Sequence, residues 1–247
     1  MNVIPRDPTE TVIASPPPLP HPAPPAEQPG ATVLIVDDHE LVGTSLALSL
    51  QAEGLAAVRC GPESYASVLA EARRRAPGLT VLDLDLGLDS AGRRIDGGPL
   101  VQPLVESGWR VLILSGTSDH ARIGGALAAG AAAWVPKSAP FPMLLRAIRD
   151  LMAGRDIMAA PRRRQLVELH RARSAERREL AAKVGRLTQR EREVLAQLAA
   201  GQRAQAVAEH FVVSLATVRT QIRAVLTKLE VGSQLEAVAL YRRATER

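Results

Sequence analysis

The residues best placed for chemistry stand at the ends of short apolar runs. Asp37 and Asp38 close "TVLIVDD" (32–38), and Asp83 and Asp85 close "LTVLDLD" (79–85). Ser115 stands near the end of "RVLILSG" (110–116), and Lys137 closes "AAWVPK" (132–137). A desolvated aspartate costs free energy unless it is paired or holds a metal. Several carboxylates in one crevice repel each other unless a cation joins them. Hard oxygen ligands in that number suit Mg²⁺, which keeps waters and takes one or two carboxylates plus a phosphate. Lys137 adds a fixed positive charge for a phosphoryl oxygen, and Ser115 a hydroxyl for another. These are the parts for phosphoryl transfer to a carboxylate: one Asp attacks in line while the cations neutralise the equatorial oxygens. Each residue also has a plain explanation, since a strand-terminal Asp often caps a helix and a lone Lys is usually solvated. The recurrence of such groups at four run ends favours a site.

The elements that must bring these residues together are strands of one parallel sheet. Five apolar runs, the four above and "GLAAVRC" (54–60), alternate with helix-compatible segments such as "ELVGTSLALSLQAEG". That alternation predicts β–α units and a sheet covered on both faces. The continuous apolar character of the runs fits strands buried on both sides. With "PMLLRAIRDLMAG" (142–154) as a fifth helix, residues 31–155 read as a (βα)5 domain. In such sheets ligands bind outside the carboxyl ends of the strands, near the point where strand order reverses.

The rest of the chain is organised differently. Residues 1–30 contain "SPPPLPHPAPPAEQPG", where repeated proline forbids helix and central strand; they read as a disordered or polyproline-like tail. Residues 156–186 read as a linker containing a helix, whose leucine repeat is broken by Arg173 and Glu176 and makes a poor coiled-coil seam. Residues 187–247 read as a small all-helical domain. Its first helix opens with Thr188 and Glu191 in capping-box spacing and stops at Gly201. Ser214 caps a later helix, 215–229.

Charge divides the chain the same way. Residues 1–160 carry 13 basic and 17 acidic side chains, residues 161–247 carry 18 and 9, and the whole chain is at +5. A basic C-terminal part suggests a polyanion partner. Helix 215–229 is shaped for one. Val218, Ile222, Val225 and Leu229 share an apolar face; Thr220, Arg223, Ala224 and Thr227 point the other way, with Arg219 on the flank and Lys228 near the end. A helix reading double-stranded DNA in the major groove needs this division, although a solvated amphipathic helix has it too. A single cysteine, Cys60, excludes an internal disulfide framework. No run is long enough to cross a membrane, and no secretory start is present, so a cytoplasmic protein is expected.

At these motifs the chain resembles a known family. "VLIVDDHELV", "VLDLDLG", "VLILSG" and "GAAAWVPKSA" resemble the flavodoxin-like receiver domain of bacterial response regulators. "LTQREREVLAQLAAG" and "VAEHFVVSLATVRTQIRAVLTKLEV" resemble the C-terminal domain of the NarL/LuxR type. The resemblance implies a transcription regulator controlled by aspartyl phosphorylation, not an enzyme in the ordinary sense. It implies Asp83 as phosphoacceptor, and Asp37 and Asp38 as the acidic pair for Mg²⁺ together with Asp83. It further implies that the Asp85 backbone carbonyl completes the metal site, that Ser115 takes the place of the switch hydroxyl, Lys137 that of the invariant lysine and Trp134 that of the switch aromatic. Arg219, Thr220, Arg223, Thr227 and Lys228 are the implied DNA contacts. A cognate histidine kinase and a homodimer on phosphorylation are the implied partners.

The chain departs from the family at several points. Gly87 stands where the family usually has proline, and the segment 88–98 is longer than the usual loop. Gln221 and Ala206 differ from common choices in the DNA-binding domain, so target preference does not carry over. Two other functions fit parts of the sequence. One is a regulator of the same architecture that works without phosphate. The other is a phosphohydrolase of the haloacid dehalogenase type, suited by "DLD" with a later Ser and Lys, but with no use for Asp37–Asp38 or a basic helix-turn-helix.

Overall fold

The computed structural model describes residues 31–88 and 92–245. The proline-rich segment 1–30 therefore lies outside the described residues. Five parallel strands form the main sheet: β1 (Thr32–Val36), β2 (Ala56–Cys60), β3 (Leu79–Leu82), β6 (Arg110–Ser115) and β7 (Ala133–Pro136), in the order β2-β1-β3-β6-β7. Helices α1 (Glu40–Ala52), α2 (Tyr65–Arg73), α3 (Val101–Glu106), α4 (His120–Ala128) and α5 (Phe141–Met152) connect and cover them.

Strand alternation divides the core into two layers. Val33 and Ile35 point with Val81, Leu112 and Leu114 towards α1 and α5, where Leu46, Leu50, Ile148 and Leu151 meet them. Leu34 and Val36 point with Leu82, Val111 and Ile113 to the other face, against Val68, Leu104, Ile123 and Leu127. Parallel register brings the strand ends level, with Val36 opposite Leu82, Leu82 opposite Ile113 and Ser115 opposite Pro136. The order reverses at β1, between β2 and β3, so the aspartates that follow β1 and β3 stand at the switch point.

The longer segment after β3 contains two further strands. β4 (Asp85–Leu88) and β5 (Arg94–Asp96) pair antiparallel, with Asp85 opposite Asp96. Leu84, Leu86 and Ile95 anchor this hairpin in the core. Gly87 has φ +73°, a left-handed conformation closed to proline, whose ring fixes φ near −65°. The departure at this position is thus the condition for the hairpin.

Helix α6 (Ala160–Gly185) is docked at both ends. Its first half lies across α4: Leu166 is buried in the sheet-side core, and Arg163 donates to the Ala131 and Ala132 carbonyls. Arg173 pairs with Asp119 at 2.7 Å. Its second half meets the C-terminal helices through Val184 and a Glu176–Arg243 ion pair. Those helices are α7 (Gln189–Ala199), α8 (Ala204–His210), α9 (Leu215–Leu229) and α10 (Gln234–Thr245). The Thr188–Glu191 capping box opens α7, and the Ser214 hydroxyl accepts from the Thr217 N–H to open α9. Val218, Val225 and Leu229 of α9 face the domain core.

Candidate functional site

The sheet edge gathers residues from three strand ends. Asp37 and Asp83 follow β1 and β3 directly, and both are about 2 % exposed. The Asp83 backbone N–H donates to the Val36 carbonyl at 2.9 Å, which continues the ladder and fixes the carboxylate beside Asp37. Lys137, just past β7, reaches both, with Nζ 2.7 Å from Asp83 Oδ2 and 2.8 Å from Asp37 Oδ2. Its backbone N–H donates to the Ser115 carbonyl, so the register of β6 and β7 aims it. Burial works against the ammonium, but the hydrogen bonds and charges of Asp37 and Asp83 outweigh it and hold the lysine above its ordinary range.

Two buried carboxylates and one ammonium leave the pocket with a net negative charge, and Asp38 adds to it. Ligand atoms of Asp37, Asp38, His39 and Asp83 lie within 4.8 Å of one another. The His39 N–H donates to Asp37 Oδ1 at 2.8 Å, and its ring Nδ1 is 2.8 Å from Asp38 Oδ1. Carboxylate oxygens in this number and spacing are a donor set for a hard divalent cation. Ser115 is fully buried, and its Oγ accepts from the Thr117 N–H at 3.4 Å. Trp134, on β7, lies edge-on to His120 with ring centroids 5.9 Å apart, and its buried indole N–H has no hydrogen-bond partner among the described residues.

Asp85 sits differently. Its backbone N–H donates to Asp83 Oδ1 at 3.1 Å, so its main chain is at the pocket. Its side chain turns away to Arg122 on α4 (2.9 Å) and Arg94 on β5 (3.1 Å).

In the C-terminal domain, Arg219, Thr220, Arg223 and Thr227 are all exposed on α9. The Thr220 and Thr227 hydroxyls donate back to the Ala216 and Arg223 carbonyls. Lys228 does not join this face: its Nζ binds Glu191 Oε2 at 2.7 Å. Glu191 is buried and also accepts from the Thr188 N–H. Burial raises its carboxyl, but Lys228 and Thr188 more than compensate and hold it below the usual range. The turn before α9 carries Val212 at φ +54° and 91 % exposed.

In the sequence Glu191 reads only as a capping residue, and local pattern does not single out His39, Arg122 or the seat of α6. His39 had a signal, since it directly follows the acidic pair. Arg122 had a weaker one, as a lone cation in the apolar stretch "ARIGGALAAG".

Two family models match the chain. The response regulator receiver domain covers residues 33–149, and the bacterial regulatory proteins of the luxR family cover residues 185–241. The transcriptional activator protein ExaE of Pseudomonas putida is 31% identical over 215 residues, spanning 84% of this chain and 94% of that protein. The chain belongs to the LuxR-type response regulators. The probable transcriptional regulatory protein NarL of Mycobacterium tuberculosis is 30% identical over 212 residues, 84% of this chain and 91% of that protein. Among solved structures, RcsB of Salmonella enterica serovar Typhimurium in a promoter complex aligns with 21% identity and a TM-score of 0.47, covering 87% of this chain and all of that one. This response regulator is thus a DNA-binding transcription regulator of the two-component type, with a flavodoxin-like receiver and a helix-turn-helix domain. The family consists of regulators and not of classical enzymes, which removes the phosphohydrolase alternative.

Proposed function

We propose that Asp83 receives the phosphoryl group from a cognate histidine kinase, and that this switches DNA binding by α9. The observation that carries the reading is the meeting of Asp83, Asp37 and Lys137 from three strand ends, with Lys137 within 2.8 Å of both carboxylates. Asp83 attacks phosphorus, an O–P bond forms, and the phosphohistidine N–P bond breaks with the electron pair leaving on the imidazole. Asp37, Asp38 and Asp83, with the Asp85 backbone carbonyl, would hold Mg²⁺, which when bound neutralises charge on the phosphoryl oxygens. Lys137 follows one oxygen of the aspartyl phosphate, the Ser115 hydroxyl donates to another, and Trp134 repacks behind Ser115. Arg219, Thr220, Arg223 and Thr227 present the DNA-reading face, and Lys228 stays with Glu191. Phosphorylation favours a homodimer, which pairs two half-sites about one helical turn apart. Such a regulator works in the cytoplasm, where the chromosome is; no helix of the described residues is long and apolar enough to cross a membrane.

The test is phosphate incorporation from acetyl phosphate with Mg²⁺, read by intact mass. Wild type should gain one phosphate, Asp83→Asn none, and Asp37→Ala none at low millimolar Mg²⁺. Wild type that gains no phosphate while still binding DNA would support the phosphate-independent regulator instead.

A further inference from the structure

The hairpin beside the acceptor carries an ion cluster that the phosphoryl chemistry does not explain. Asp85 and Asp96 face each other across β4 and β5, and like charges directly opposite in a sheet pair are destabilising. Arg122 projects from α4 between them. Its guanidinium binds Asp85 Oδ1 at 2.9 Å, Asp96 Oδ1 at 2.9 Å and the Leu84 carbonyl. Leu84 is the residue between Asp83 and Asp85, and its carbonyl also accepts from the Gly97 N–H. One side chain therefore holds the two residues after the acceptor and the returning strand. Arg94 adds a second cation to Asp85 from the solvent side.

We propose that Arg122 is a positioning residue for the phosphoryl site, and that it keeps the Asp85 carboxylate out of the acidic pocket. The Asp85 main chain touches the acceptor, with its N–H on Asp83 Oδ1 at 3.1 Å. The pocket already holds Asp37, Asp38 and Asp83 against the single ammonium of Lys137 and the ring of His39. A further carboxylate there would attract a divalent cation more strongly and repel an incoming phosphoryl group. Arg122 separates the two effects: it leaves enough charge to bind the cation and removes the charge that opposes phosphate. Because Arg122 stands on α4, the same clamp ties the acceptor loop to the helix on which α6 is seated.

The inference rests on Asp83 being the acceptor, and two binding constants of the unphosphorylated full chain test it. Mg²⁺ affinity is read by tryptophan fluorescence or calorimetry. Affinity for beryllofluoride, a phosphoryl mimic, is read at saturating Mg²⁺. In Arg122→Met, Mg²⁺ should bind roughly tenfold more tightly and beryllofluoride roughly threefold more weakly, the order expected for one added charge about 6 Å away in water, which acts on both charges of the cation. Asp85→Asn in the same chain should return both constants to wild type, and Arg122→Lys, which keeps a cation there, should leave both constants near wild type. A merely structural role would weaken both ligands together and would not be rescued by Asp85→Asn. Either that result or two unchanged constants would overturn the proposal. Wild type that binds neither ligand would instead overturn the assignment of Asp83.

Discussion

At the residue scale, the site is a problem of like charges held close, and the chain solves it with a few cations. Asp37 and Asp83 are tolerated in near-complete burial because Lys137 lies between them. Breaking a buried pair by removing one partner costs several kcal/mol, since the other charge is left uncompensated. Removing Lys137 (to Ala) leaves two carboxylates facing each other. Its phosphorylation by acetyl phosphate should slow by at least an order of magnitude, measured by intact mass against time, while its Mg²⁺ affinity rises. The same logic applies in the DNA-binding domain. Glu191 accepts from Lys228 and from the Thr188 N–H, and its folded-state carboxyl is held low. A depressed carboxyl adds stability above its unfolded value of about 4.3 and loses it as pH falls through the folded value. Glu191→Gln should therefore destabilise this domain by about 1–3 kcal/mol at pH 7 and flatten its acid limb below pH about 4, both read by urea unfolding. On α9, replacing Arg219 or Arg223 by Ala should cost roughly 1–3 kcal/mol on a duplex selected from random sequence if the arginine reads a base. If it holds phosphate, affinity should fall on every duplex and the salt slope by about one charge.

At the element scale, what was legible in the sequence is what local pattern determines. The strands, their polar ends and the cap signals at Thr188 and Ser214 are short-range features, and the structure has them at those residues. The hairpin β4–β5 was not legible. Its strands are short and one carries the glycine that a strand reading discounts, so the segment reads as a long loop. The seat of α6 was not legible either, because it depends on residues far apart in the chain. It does leave a trace in α4. Glycine in a helix interior costs about 1 kcal/mol relative to alanine, yet Gly124 and Gly125 sit side by side there. A Cβ at Gly124 would lie 1.9 Å from the Leu166 carbonyl oxygen of α6, so glycine is what admits the second backbone. Gly124→Ala should destabilise the receiver and raise amide exchange in the first half of α6. If α6 were not seated on α4, the same change would stabilise by about 1 kcal/mol.

At the scale of the whole molecule, the helix α4 has the acceptor loop on one side, through Arg122, and α6 on the other. Helix α6 in turn meets α10 through Glu176 and Arg243. The path from Asp83 to the DNA-binding helices is therefore a contiguous set of packed elements and ion pairs, none of which requires a long loop to transmit a change. Dimerisation belongs to this scale. Sedimentation of the full chain should show a shift from monomer to dimer when acetyl phosphate and Mg²⁺ are added, and Asp83→Asn should remain at the monomer mass. An unchanged mass with full phosphate incorporation would remove dimerisation from the switch.

If the aspartate that follows β3 takes the phosphoryl group, the site of modification can be found chemically. An aspartyl phosphate is reduced by borohydride to homoserine, which marks its position in a peptide map. After treatment with acetyl phosphate and Mg²⁺, the map should place homoserine at position 83 and leave 37, 38 and 85 as aspartate. Homoserine at 85 or 37, with 83 unmodified, would contradict the account.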